Sequence, residues 1–328
     1  MKRHDIIKKL AYGVPYSRTK RVILSTDLKN EADDQFAVMH HLLTPGHDVT
    51  GIVAAHFEGR RRFADELKGD EAGDPLAHFM LPRGESMMAS YDEGKLLLEL
   101  ADIDDVPLFK GCSYEIGSSQ YDGHNEGVDF IIREALKEDD RPLYVCALGA
   151  ITDVAAAILR EPGIAGRMTI IWIGGGDYPD GELEFNLMQD VEAARIVFAS
   201  EAEVWQVPKG VYKMVELSFA ELVTRVKGCG KVGDYLCQQM LDLNERGGAV
   251  PGDFPHGESW CLGDNPTVSV LLQNAQRICW HMEKAPYIND DGSYSKGQTD
   301  REIRVYDSVD SRLTLEDMFQ KLAICYKM

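Results

Sequence analysis

Six short apolar runs, alternating with stretches that carry apolar residues at helical spacing, constrain this chain more than any other feature. The runs are RVILST (21–26), VTGIVAA (49–55), VPLFKG (106–111), PLYVCALG (142–149), MTIIWIG (168–174) and AEVWQVP (202–208). Segments such as DDQFAVMHHLL, DEGKLLLELADI, EGVDFIIREALKE, ITDVAAAILREP and VEAARIVFAS lie between them. Strands that read as continuous apolar runs are buried on both faces, and their alternation with helices is the mark of βαβ units. The pattern predicts an α/β fold: one domain over 1–328, with a mostly parallel, mixed sheet and helices on both faces. Residues 1–20 read as an N-terminal extension and 60–90 as an insertion rich in loop signals. Beyond residue 215 the pattern is mostly helical, including PTVSVLLQNAQRICW (266–280), followed by NDDGSYSKGQTDREIRVYD (289–307) as a hairpin before a final helix.

The first strand ends in an accumulation of charge. Asp27, Glu31, Asp33 and Asp34 fall within eight positions, and Asp33 and Asp34 open the next helix. A single acid there is explained as a cap or by the helix dipole. Several converging on one strand edge repel each other unless a cation sits among them, and an all-oxygen donor set selects Ca²⁺ or Mg²⁺. In parallel sheets the carboxyl edge is also where ligands bind.

Two further segments belong with the first. In GELEFNLMQDVEAARIVF (181–198), Glu184 and Asn186 alternate with Leu183 and Phe185, so an extended segment turns both polar side chains to one side, a pair suited to sugar hydroxyls. In WCLGDNPTVSVLL, Asp264 and Asn265 precede Pro266 and a helical run, again an acid where a loop enters a helix. The pair His40–His41 lies in an amphipathic segment without metal-ligand spacing and reads as packing.

Asp27, the Asp33–Asp34 pair, ALGAITDVAAAIL, IGGG, EFN with DVEAARIVF, and the late Asp264 occur in an order that resembles the inosine-uridine-preferring nucleoside hydrolase family, over roughly residues 21–275. The stretches TDLKNEADDQ and LGDNPT are more similar to a divergent branch of related proteins. The resemblance implies a Ca²⁺ held by Asp27, Asp34, the main-chain carbonyl of Leu148 and Asp264. It implies ribose hydroxyls bound by Asp33, Glu184, Asn186 and Asp264, and Asp27 as the base toward a calcium-bound water. The implied activity is hydrolysis of the N-glycosidic bond of a ribonucleoside or related compound. Carboxylates around the sugar suit an oxocarbenium-like transition state. The alternatives are a hydrolase of another glycoside or sugar-derived metabolite, and a non-catalytic Ca²⁺-dependent binder of sugar or nucleoside.

This chain departs from the family pattern in places. Ser25 stands where the first aspartate of the usual opening lies, the glycine is missing, and two extra residues separate Asp27 from Asp33. Gly263 occupies the position that often carries a histidine, which leaves protonation of the departing base to His256 or His124, with Trp260 near the first as a substrate contact. The family asparagine after the second strand has no clear match, with His56, Glu58 or Arg60 as stand-ins.

Charge narrows the partners. With 54 acidic against 35 basic residues the net charge is −19, a field that repels phosphate backbones and anionic lipid, so nucleic acid and membrane are not expected and a small-molecule substrate is. Seven cysteines without a CxxC pair, no apolar leader and no long apolar run suggest a reduced, cytoplasmic protein. A homo-oligomer is implied by the resemblance alone.

Overall fold

The computed structural model describes residues 1–57, 81, 84–247, 257–272, 279–297 and 300–327. The six apolar runs form β1 (Lys20–Thr26), β2 (His47–Ala54), β3 (Leu108–Lys110), β4 (Leu143–Ala147), β5 (Thr169–Ile173) and β6 (Glu203–Val207). They pair in parallel in the order β3-β2-β1-β4-β5-β6.

Alternation along β1 explains the layering. Val22 and Leu24 enter one core cluster and Ile23 the other, each fully buried, because successive side chains of a strand point to opposite faces. The first cluster holds residues of helices Asp34–Leu42, Ser86–Leu100, Gly230–Gly247 and Ser311–Tyr326. The second holds those of Glu126–Leu136, Thr152–Arg160 and Val191–Ala199. Helices therefore cover both faces, as expected of a mostly parallel sheet.

The C-terminal third differs from the expectation of helices and a hairpin. Pro266–Leu272 is helical, and Cys279–Lys284, whose first residues fall within the segment read as that helix, is β9. Glu302–Ser308, read from sequence as hairpin, is the last strand of the main sheet, here called β12, parallel to β6 and antiparallel to β9. The hairpin itself is confined to the short pair β10 (Tyr287–Ile288) and β11 (Tyr294–Ser295). A second small pair joins β7 (Glu216–Ser218) to β8 (Ser259–Cys261). Among the described residues the sheet thus reaches eight strands, and the Arg304 guanidinium lies against the rings of Trp205 and Trp280, 4.0 and 4.3 Å from their centroids. Pairing across so many residues is invisible to local periodicity, so a short apolar run before a loop read as helix.

The expected insertion at 60–90 lies mostly outside the described residues; from Ser86 it is helix. The N-terminal segment is tied down: Arg3 donates to the carbonyls of Leu42, Thr44 and His47 at 2.6–2.9 Å. Among the described residues no helix is long and apolar enough to cross a membrane.

Candidate active site

Strand order decides where the site forms. The chain runs outward from β1 through β2 to β3 and returns to β4 on the other side, so β1 and β4 flank the point where the order reverses, a place where α/β sheets bind ligands. Asp27 follows β1, Leu148 and Gly149 follow β4, and the segment after β5 carries Glu184, Asn186 and Gln189. Three adjacent strand ends therefore supply three of the polar stations, and the loop before Pro266 supplies Asp264.

The acids converge. Carboxylate oxygens of Asp33, Asp34 and Asp264 lie within 4.8 Å of one another, all buried. Asp27 is 1% exposed, and its charge acts on both Asp34 and Asp264. Burial, then the charges of Asp27 and Asp33, hold the Asp34 carboxyl well above the usual range. Burial, then Asp34, Asp33 and Asp27, do the same for Asp264. Asp33 is pushed up to about 6 by burial, tempered by nearby backbone amides including those of Gly263 and Asp264. Asp33 stands at the N-cap of its helix without making the side-chain cap bond, so its carboxylate is directed elsewhere than the bland capping role. The Thr26 hydroxyl donates to Asp34 Oδ1.

Carboxylates gathered out of water with raised pKa values are what a hard divalent cation relieves. The donors are all oxygen, which fits Ca²⁺ or Mg²⁺ and not a soft metal. Gly149 shows how tightly this corner is built. A Cβ there would stand 2.2 Å from Asp27 Oδ1, so only glycine lets the β4 end approach the first aspartate.

The EFN segment is helical, a correction to the extended reading. Glu184 is the N-cap of the short helix Phe185–Gln189, its Oε2 accepting from Leu187 N at 3.0 Å and from Gly175 N at 2.9 Å. Gly175 adopts a φ of +77° to present that amide. Tyr212 Oη donates to Glu184 Oε1 at 2.9 Å. Burial pushes Glu184 up while these donors pull it down. Asn186 Nδ2 donates to the carbonyls of Leu148 and Ile173 at 2.8 and 2.9 Å, so its amide locks the Leu148 carbonyl and leaves Oδ1 for a ligand. A capping carboxylate satisfies orphan amides that a strand would not offer, which is why the alternation did not produce a strand.

The remaining expected residues are placed differently. Trp260, expected against substrate, is 1% exposed on β8 inside the core cluster. His124 is exposed, next to Asn125, whose side chain caps the helix Glu126–Leu136. His256, Glu58 and Arg60 lie outside the described residues. His56 is fully buried and shares a hydrogen bond of 2.7 Å with Thr152, which donates in turn to Asp190 at 2.7 Å.

Three contacts were not anticipated: Thr26 on Asp34, Tyr212 on Glu184, and Gln189, whose Nε2 donates to Asp27 Oδ2 at 3.1 Å. A polar residue directly after the apolar pair Leu187–Met188 was the available signal for Gln189. Behind the site, His40 bridges Asn265 (3.1 Å) and Asp317 (2.8 Å), and His41 bridges Thr267 and His47, both at 3.0 Å. The histidine pair read as packing is thus a buried polar support for the Asp264 loop.

Comparison with known proteins bears on the family and the fold. The family model for inosine-uridine preferring nucleoside hydrolase matches residues 88–316. A probable uridine nucleosidase 2 of Oryza sativa subsp. japonica is 24% identical over 233 residues, 66% of this chain and 65% of that protein. The inosine-uridine preferring nucleoside hydrolase of Crithidia fasciculata is 28% identical over 140 residues, 34% of this chain and 44% of that one. The matched stretches thus span less than two thirds of these curated relatives. The solved purine-preferring ribonucleoside hydrolase from Gardnerella vaginalis superposes over 94% of this chain and 99% of its own, with a TM-score of 0.72 at 19% identity, which speaks to the fold. With most of its length matched by the family model, and its acids gathered at the sheet's reversal point, the chain belongs to the inosine-uridine preferring nucleoside hydrolase family.

Proposed function

We propose that this protein is a Ca²⁺-dependent hydrolase that cleaves the N-glycosidic bond of a ribonucleoside. The observation that carries the reading is the buried convergence of Asp33, Asp34 and Asp264, with Asp27 acting on two of them, beside a Leu148 carbonyl held by Asn186. Asp27, Asp34, Asp264 and that carbonyl would hold the cation. Bound there, calcium neutralises the acids, anchors sugar hydroxyls and makes a nearby water more acidic.

The chain's own groups do the rest. Asp33, Glu184 and Asn186 orient the ribose. Glu184 is fixed by two backbone amides and the Tyr212 hydroxyl, so it costs little reorganisation when positive charge grows on the sugar. Asp27 takes the proton of the attacking water, as a base within reach of the anomeric carbon does. Burial keeps bulk water away from that charge, which strengthens each carboxylate's effect. All seven cysteines are free thiols, in keeping with a reducing cytoplasmic setting.

The test is release of free base from purine and pyrimidine ribonucleosides by the purified protein, with calcium or a chelator, for wild type and Asp27→Ala. Turnover that needs calcium and drops at least ~10³-fold in the variant is expected. Turnover that persists in chelator, or in Asp27→Ala, would overturn the assignment. Saturable calcium-dependent ribose binding without product would instead favour the binder.

A further inference from the structure

The carboxamide of Gln189 is used on one side only. Its Nε2 donates to Asp27 Oδ2 at 3.1 Å, the side chain is 3% exposed, and no described group hydrogen-bonds its Oε1. The orientation follows from the partner: an ionised carboxylate only accepts, so the nitrogen faces Asp27 and the oxygen points to the other side. A buried amide oxygen without a donor is unfavourable, so a donor is expected to fill the place in the working enzyme.

Geometry says what that donor is. The two heteroatoms of an amide are roughly 2.2 Å apart, so Oε1 lies no more than about 5 Å from Asp27 Oδ2, given the 3.1 Å contact. A water donating one hydrogen to each of two acceptors holds them roughly 4.4 Å apart. The short helix that carries Gln189 is pinned at both ends, by the Glu184 cap on Leu187 N and by Asp190 Oδ1, which accepts from Ala193 N at 2.9 Å. The backbone that carries Gln189 is thereby fixed, and the contact with Asp27 orients its carboxamide.

We propose that Gln189 is a further catalytic residue: its Oε1 accepts one hydrogen of the attacking water while Asp27 accepts the other. With both hydrogens engaged, a lone pair of the water oxygen is left for the anomeric carbon. In the step, the bond from that oxygen to the anomeric carbon forms and the carbon–nitrogen bond to the base breaks. The electron pair leaves with the base, and the water's proton passes to Asp27. The inference rests on the nucleoside-hydrolase reading above and adds to it a side chain from a different strand end.

Gln189→Met keeps the volume and removes both polar atoms. The measurements are kcat and KM for inosine and uridine, the calcium dissociation constant by calorimetry, and a high-resolution crystal structure of the calcium-loaded protein. The expected result is a kcat at least 30-fold lower, with KM and calcium affinity each within threefold of wild type. The wild-type crystal should show a water within hydrogen-bond distance of both Gln189 Oε1 and Asp27, lost in the variant. A residue that merely clamps Asp27 would instead weaken calcium binding in proportion to the loss of rate, and that outcome overturns the assignment, as do an unchanged kcat or the absence of the water. If wild type turns over neither nucleoside while the water is present, the substrate reading fails and the water site stands.

Discussion

Replacing Asp33 by asparagine should stabilise the cation-free protein, the opposite of what removal of a buried polar partner usually does. Burial holds the Asp33 carboxyl at about 6 against an ordinary value of 3.8. At about 1.4 kcal/mol per pH unit, that difference costs the folded state about 3 kcal/mol at neutral pH. The sign follows from which state resists ionisation. Above pH 6 both folded and unfolded forms carry the charge and the cost is complete; below 3.8 both are protonated and it vanishes. Asparagine removes the cost while keeping the volume, at the expense of a weaker acceptor for the amides of Gly263 and Asp264. The net gain is therefore about 1–3 kcal/mol at pH 7. The assay is urea unfolding in chelator at pH 7 and pH 4 for both proteins. Saturating calcium should erase the advantage, because a cation that binds only the folded state adds stability with the logarithm of its affinity, which is higher for the more negative wild-type site. A variant less stable than wild type at pH 7 in chelator, or a gain equal at both pH values, would refute the reasoning.

Two further outcomes follow from the same side chains. Burial holds the His40 imidazole at about 4 despite Asp317 beside it, so the folded state requires it neutral. Its contribution is complete above the unfolded value of about 6.5 and is lost as pH falls, by about 2 kcal/mol at pH 5. His40→Asn should therefore flatten the pH dependence of the urea midpoint between pH 7 and 5, and an unchanged slope would count against it. Tyr212→Phe removes one of the donors to Glu184 and should raise KM roughly tenfold with an intact fold, an effect of about 1.4 kcal/mol; steady-state kinetics and far-UV circular dichroism check it.

The acids of the candidate site were legible because they sit where chain direction changes. Asp27 closes an apolar run, Asp33 and Asp34 open a helical one, and Asp264 precedes a proline that starts another. Such junctions lie at strand edges whatever the details of packing. Glu184 and Asn186 were visible as a polar pair, but an alternation over four residues does not separate a strand from the junction the structure has, where an extended Glu184 leads into a helix. The cap that Glu184 makes on Leu187 N settled it as helix. Trp260 was ambiguous for a related reason: an aromatic near Asp264 in sequence is a substrate contact or a core residue according to the side its strand turns inward.

What the sequence determined alone is the α/β layering and the identity of the acids, since burial of both strand faces and charge at strand ends are local patterns. Tertiary structure decided the rest. The eighth strand and the contact of Gln189 with Asp27, 162 residues apart, depend on which segments meet, and that is set by packing of the whole sheet. No local period carries that information, because a hydrogen bond across a strand edge constrains where two side chains end and not the sequence between them.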